Sequence, residues 1–270
     1  MKKSGTREWS DVSLNIQVGC RNGCVYCYAR QAALRRRLIA RPEDWTQERL
    51  VPPEVRRARV RRLGPGVVMF PTTHDIHRGN VEAAIEAIQL CLDAGRRVLV
   101  VTKARLAAVA ALCDEFGGTD AAERLAVRVT LTGWSSHASR VWEPHAPSYA
   151  ERFQALRALA DHGLARSASL EPLLEPWEAG RMVRVLAPLL EGGEIWIGLL
   201  RQFEARTAWW RLTDPGRAVE AARLAAWQTP HAVRRVWEMT HDVPGVRYKD
   251  SYREALAAQG VQVATAGERS

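Results

Sequence analysis

Lysine is almost missing from this 270-residue chain: only Lys2, Lys3, Lys103 and Lys249 stand among 39 basic residues, so arginine carries the formal net charge of +9. Such an excess fits a GC-rich coding sequence as well as an anionic partner, since global charge governs nonspecific attraction and not fold. No apolar run approaches the length that spans a bilayer, which excludes a helical membrane protein. The start, Met1 to Arg7, has charge with no apolar stretch behind it, so no secretory leader is expected and the expected location is the cytoplasm. Repeats, low-complexity tracts and long linkers are also missing. With 47% hydrophobic residues the chain can bury a large core, and one main domain is expected.

Cysteine is scarce too, with five in all, which suits a reducing compartment better than a disulfide framework. Three of the five fall within eight residues, Cys20, Cys24 and Cys27. A disulfide cannot use three thiols, whereas soft thiolates are the ligands that iron–sulfur clusters select. Three ligands to a four-iron cube leave one iron open to another molecule, and open metal positions are where chemistry happens. A zinc knuckle would need a fourth ligand at knuckle spacing, and none is nearby. Cys91 and Cys113 fall in helix-like runs over 81–94 and 104–116, where a thiol is usually a small buried hydrophobe. No cysteine group follows them, so one cluster is expected.

Strand-like and helix-like runs alternate along the chain. Residues 12–18 alternate with period two and deliver the cysteine loop, and 28–38 has helical composition. Strands are then expected over 66–70, 97–102, 125–132, 165–170 and 194–200, with helices over 81–94, 104–116, 148–163 and 178–190 between them. Six β/α units in succession predict parallel strands with helices packed outside, that is, an α/β fold built as a partial (β/α)6 TIM-type barrel. Beyond Leu200 the pattern changes to helices over 217–227 and 230–240. This divides the chain into a barrel, 1–203, and a C-terminal helical extension, 204–270.

The spacing C-x3-C-x2-C, with Tyr26 before the last Cys, resembles the signature of the radical S-adenosylmethionine (SAM) enzymes. That resemblance implies a [4Fe-4S] cluster on Cys20, Cys24 and Cys27, with SAM chelating the fourth iron through its amino and carboxylate groups. It implies an external flavodoxin- or ferredoxin-like electron donor. It also implies cleavage of SAM to methionine and a 5′-deoxyadenosyl radical that abstracts a substrate hydrogen, and the same open six-unit barrel. Further stretches are similar to the spore photoproduct lyase-like branch and related phage-associated proteins: Thr72 to Asp75, Thr102-Lys103, Trp142-Glu143-Pro144 with Arg152, and Ser169 to Pro172. That branch returns a hydrogen to its product with a cysteine after strand two, where this chain has none.

In such barrels chemistry sits at the C-terminal strand ends. There the chain places Tyr26, Thr72, Thr73, Asp75, Lys103, Thr130, Thr132, Ser169, Glu171 and Trp196, which together with Arg166 are the expected cofactor-binding residues. Thr72, Thr73 and Asp75 stand where the family often carries Gly-Gly-Glu for the SAM amino group. A carboxylate suits an ammonium because charge-assisted bonds are the strong ones. Arg166 offers a planar fork for the SAM carboxylate, Thr130 and Thr132 suit ribose hydroxyls, and Lys103 either reaches water or faces an anion.

Eleven arginines against four acids between Arg30 and Arg62 suggest that Arg56, Arg57, Arg61 and Arg62 meet substrate phosphates. The substrate expected is therefore a nucleobase or nucleotide, free or in nucleic acid. A small-molecule biosynthetic reaction is the rival, and a nonenzymatic metal-binding nucleic-acid module a more distant one. Tyr248 and Tyr252 are candidates for a radical relay or base stacking, against plain aromatic packing.

Overall fold

The computed structural model describes residues 5–263. The first four residues, part of the start read as lacking a leader, and 264–270, the end of the expected extension, lie outside the described residues.

The core is a seven-stranded parallel sheet of β1 (Val12–Ser13), β4 (Val67–Phe70), β5 (Arg97–Thr102), β6 (Leu125–Thr130), β7 (Ala165–Leu170), β8 (Ile195–Ile197) and β9 (Val246–Tyr248), paired in that order. Between β1 and β4, β2 (Gln17–Val18) pairs antiparallel with β3 (Arg49–Leu50). The intervening helices are α1 (Tyr28–Arg35), α2 (Pro53–Arg61), α3 (Val81–Asp93), α4 (Leu106–Phe116), α5 (Ser136–Trp142), α6 (Tyr149–Asp161) and α7 (Ala179–Leu190). After β8 come α8 (Phe203–Thr213), α9 (Pro215–Ala226) and α10 (Pro230–Thr240), and α11 (Asp250–Ala257) follows β9.

Central strand residues such as Val98, Val100, Val127 and Val129 are fully buried, as parallel strands covered on both faces should be. Spatial order follows chain order without reversal. With right-handed crossovers every helix then lies on one side and the sheet curls around the other, giving a partial barrel instead of a doubly wound sheet. The register sets Thr102 against Val129, Thr130 against Ser169 and Ile197 against Tyr248, which aligns the C-terminal strand ends along one rim.

Two features go beyond the expected six units. The stretch read as one strand over 12–18 splits into β1 and β2, and β2 leaves the sheet to brace the cysteine loop. The region after 203, expected to be helical, also contributes β9, whose Tyr248 lies opposite Ile197.

The edge strands β1 and β9 do not pair with each other. A 3-10 turn, Gly5–Glu8, crosses the gap before the chain enters β1. Glu8 accepts a bond from the Asp250 backbone N (3.0 Å) and pairs with Lys249 (3.1 Å) and Arg253 (3.2 Å), while Trp9 meets Trp196 edge to face at 5.9 Å.

Candidate active site

The cysteine loop is held from several sides. Cys20 N donates to Trp45 O (2.8 Å), Val25 N to Trp142 O (2.9 Å), and the buried Arg30 guanidinium grips the carbonyls of Cys24 (3.1 Å) and Val25 (2.6 Å). Gly19 adopts φ +92°, and a Cβ there would sit 2.5 Å from Gln47 O, so glycine is needed where the loop leaves β2. The three thiols border a cavity of about 560 Å3 at the C-terminal strand ends, with Tyr26, Tyr28, Thr72, Thr73, His74, Asp75, Lys103, Thr130, Ser169 and Glu171 around it.

The donor set fits an iron–sulfur cluster. Burial pushes the Cys20 thiol well up, and Asp75, Cys24 and Cys27 push it further; burial likewise pushes Cys24 up to about 12, with Lys103 opposing. Thiolates gathered this closely in a buried site are costly unless a metal group neutralises them. Among the described residues no three His, Cys, Asp or Glu side chains converge on a single-ion position, whereas a cluster takes one thiolate on each of three irons. Cys20, Cys24 and Cys27 would hold it.

Asp75 lies on the cavity wall, but its carboxylate is already occupied. It accepts from Asn22 Nδ2 (2.6 Å), Thr102 Oγ1 (2.5 Å), Ile76 N (2.9 Å) and Lys103 N (3.2 Å), which fills the roughly four acceptor sites of a carboxylate. It therefore ties the cysteine loop, through Asn22, to the ends of β4 and β5. Thr72 N and Thr73 N both donate to Asn15 Oδ1 at 2.8 Å, fixing the same loop from β1's side. His74 is neutral, its pKa pushed down to about 4 by burial; Nε2 accepts from Ile16 N (3.1 Å) and Nδ1 faces Asp75 O (3.2 Å).

Lys103 faces an anion. Its Nζ lies 2.5 Å from Glu143 Oε1 and donates to Tyr26 OH at 2.8 Å. Glu143 is fully buried and also accepts from Arg152, Tyr26 and Thr132 (2.7 Å). Sequence reading quoted Glu143 and Arg152 only as part of a resembling stretch. Two complementary charges nine residues apart, with Arg152 in line with the apolar face of a helix, were the available signal.

Several expected site residues lie elsewhere. Thr132 comes after β6 ends and serves Glu143 instead of the cavity. Arg166 starts β7, at the opposite end of the barrel, where it binds Leu189 O (2.7 Å) and Glu191 (2.8 Å); it cannot reach a cofactor at the C-terminal rim. Trp196 is buried off the cavity, packed against both Trp9 and the Arg128 guanidinium, and donates to Glu194 (2.7 Å). Arg56 is buried against Glu86 (2.5 Å), Arg57 pairs with the same carboxylate (2.9 Å), and neither they nor the exposed Arg61 and Arg62 border the cavity.

Tyr248 and Tyr252 are buried off the cavity, Tyr248 OH bonding Thr240 (2.7 Å) and Tyr252 OH having no partner among the described residues. Tyr252→Phe should leave unfolding stability unchanged or slightly higher, and Tyr248→Phe should cost about 1 kcal/mol in denaturant melts. Neither should alter SAM cleavage; a lost product yield in either variant would restore the relay role.

The superfamily model described as the radical SAM superfamily matches residues 14–176, more than half of the chain. Among solved structures, spore photoproduct lyase complexed with its dinucleoside photoproduct is similar, at 19% identity over 69% of this chain and 55% of that one, with a TM-score of 0.50. A tyrosine-to-phenylalanine variant of that lyase is similar at 18% identity over 70% and 60% of the two chains, also with a TM-score of 0.50. The chain thus spans little more than half the length of these structures, and they share its fold. No curated protein matches it by sequence. With three thiols on one cavity at the C-terminal rim of a parallel half-barrel, the chain belongs to the radical SAM superfamily, whose members carry a [4Fe-4S] cluster and SAM and draw on an external electron donor.

Proposed function

We propose that this protein cleaves SAM reductively and uses the resulting radical to abstract hydrogen from a nucleobase, in a nucleotide or in nucleic acid. The observation that carries this is the single cavity in which the three cysteines meet a wall of hydrogen-bonding and cationic groups, Thr72, Lys103, Ser169 and Arg206. When bound, the cluster and SAM supply the one-electron cleavage and the hydrogen abstraction. The chain supplies the rest: Arg30 and Asn22 hold the loop, and Glu143 fixes Tyr26 and Lys103 beside Cys24. Kinship in fold with a lyase solved with a dinucleoside photoproduct supports a nucleobase substrate.

The route differs from one that returns hydrogen through a cavity thiol. Among the described residues only the three ligand cysteines border the cavity, and Cys91 and Cys113 are buried in α3 and α4. Radical generation then belongs to the barrel, residues 1–203, with 204–270 as its C-terminal helical extension and a flavodoxin- or ferredoxin-like donor in the reducing cytoplasm. No described helix is long and apolar enough to cross a membrane.

The test is anaerobic reconstitution followed by assay of 5′-deoxyadenosine with reduced flavodoxin, with and without oligonucleotides. Product should form slowly alone and several-fold faster with the right nucleic acid. Stimulation by small metabolites and by no nucleotide would transfer the reading to small-molecule biosynthesis, and retention of zinc without iron would end it.

A further inference from the structure

Among the described residues, four cationic side chains border the cavity: Arg7, Lys103, Arg201 and Arg206. Two are matched inside the protein, Lys103 by Glu143 and Arg201 by Asp250, each at 2.5 Å. Arg206, on α8, is not. Its Nε is buried without a hydrogen-bond partner, and no carboxylate among the described residues lies within ion-pair distance of its guanidinium, which rests over the Tyr28 ring at 5.6 Å. The charges that act on it most are the Cys27 thiol, which the cluster would take up, and Glu171, which is shared with Lys249 at 3.6 Å. Arg7 reaches the same cavity from the turn that crosses the sheet edges, also without an ion pair among the described residues.

A half-buried guanidinium with open donors is costly unless something fills them. Its planar fork fits an oxyanion, and phosphate in particular. Two oxyanions are at issue, a substrate phosphate and the carboxylate of SAM. Position separates them. The cysteine loop, Asp75, Lys103 and Ser169 all fall within residues 14–176, the part shared with the superfamily, whereas Arg7 and Arg206 both fall outside it. What a superfamily shares is the cofactor, and what differs between its members is the substrate.

We propose that Arg206, assisted by Arg7, is the anchor for a phosphate or phosphodiester group of the substrate. This rests on the nucleotide reading above and names the groups that would hold the nucleotide's charge, in place of the arginines of α2. It places the substrate phosphate at α8, on the side of the cavity where Arg206 faces Tyr28 and Cys27.

The experiment compares reconstituted wild type with Arg206→Gln, Arg206→Lys and Arg7→Gln, titrating thymidylyl-thymidine, thymidine, inorganic phosphate and SAM, with melting curves to verify folding. Arg206→Gln should weaken the dinucleotide roughly ten- to a hundredfold and lower its salt slope by about one unit. Thymidine and SAM affinities should stay within about twofold by the same arithmetic. Arg206→Lys should recover part of the loss, and Arg7→Gln should give a smaller one.

An equal loss for SAM would make Arg206 a cofactor residue and overturn the proposal, as would an unchanged dinucleotide affinity in a folded Arg206→Gln protein. If wild type binds neither nucleoside nor dinucleotide, yet binds inorganic phosphate in a way that Arg206→Gln abolishes, the nucleotide reading fails while the anchor stands. If phosphate is not bound either, the anchor falls with it.

Discussion

Replacing any one of Cys20, Cys24 or Cys27 by alanine is expected to take the reconstituted protein from a full complement of iron and sulfide to background, while Cys91→Ala and Cys113→Ala keep theirs. Each of the three thiols faces the same cavity, and two thiolates leave a cube with two unprotected irons. No reserve cysteine borders the cavity among the described residues. Cys91 and Cys113 are 0% and 1% exposed, packed among the apolar residues of α3 and α4, and the Cys113 thiol points at Ala158 O, 3.7 Å away. Iron and sulfide analysis of the five single variants decides the matter. Iron lost from either remote variant would give the cluster a fourth protein ligand and close the position that SAM needs.

The second large effect is expected at Glu143. In Glu143→Gln the shape is kept and the charge removed, which leaves Arg152 (0% exposed) and Lys103 (13%) as neighbouring buried cations with no counter-ion. Breaking a buried pair from one side costs about 3–5 kcal/mol, measured by denaturant unfolding of the apoprotein. The double variant Glu143→Gln with Arg152→Met should lose less than the sum of the singles, because it removes the stranded charge together with its partner. A single-variant loss under about 1 kcal/mol would show that the network is not a stabilising element.

The same group sets an acid limit. Burial alone would raise the Glu143 carboxyl, but Arg152 and Lys103, with hydrogen bonds from Lys103 and Tyr26, reverse that and hold it well below the usual carboxylate range. A folded pKa below the unfolded value of about 4.3 means that the contribution is complete above that pH. It is lost as pH falls toward the depressed folded value. Wild-type stability should therefore drop steeply below about pH 4, and the drop should be shallower in Glu143→Gln. Parallel curves for the two proteins would contradict the assignment.

What could be read from sequence follows the range of the interactions involved. The cysteine loop and the strands β4 to β8 are written in local spacing and apolar runs, so they were legible. β9 is three residues long and joins the sheet only because β8 offers an open edge, which nothing local announces. The arginines of α2 were visible as charge, but their partner Glu86 lies about thirty residues away on α3, and pairing across helices leaves no periodic trace. Arg166 was misplaced for an avoidable reason: a residue that opens a parallel strand points to the end of the barrel away from the chemistry. Asp75 shows a different limit. Its position on the rim follows from the sequence, but four donors from three segments converge on it only in the fold, and they determine what its carboxylate can still accept.

The crossing turn at Gly5–Glu8 has a kinetic meaning. Its ties to Lys249, Asp250 and Arg253 join residues more than 240 positions apart, which makes them among the last contacts that a growing or refolding chain can form. The hydrogen bonds that hold the cysteine loop come from residues no later than His145, so metal can be captured while the barrel is still open at the side. The wall that carries Arg7 arrives only when the end of the chain has folded. Assembly of the radical-generating centre therefore precedes completion of the chamber that contains it, and a chain stopped before Val246 would hold its cluster in a site exposed to solvent oxygen.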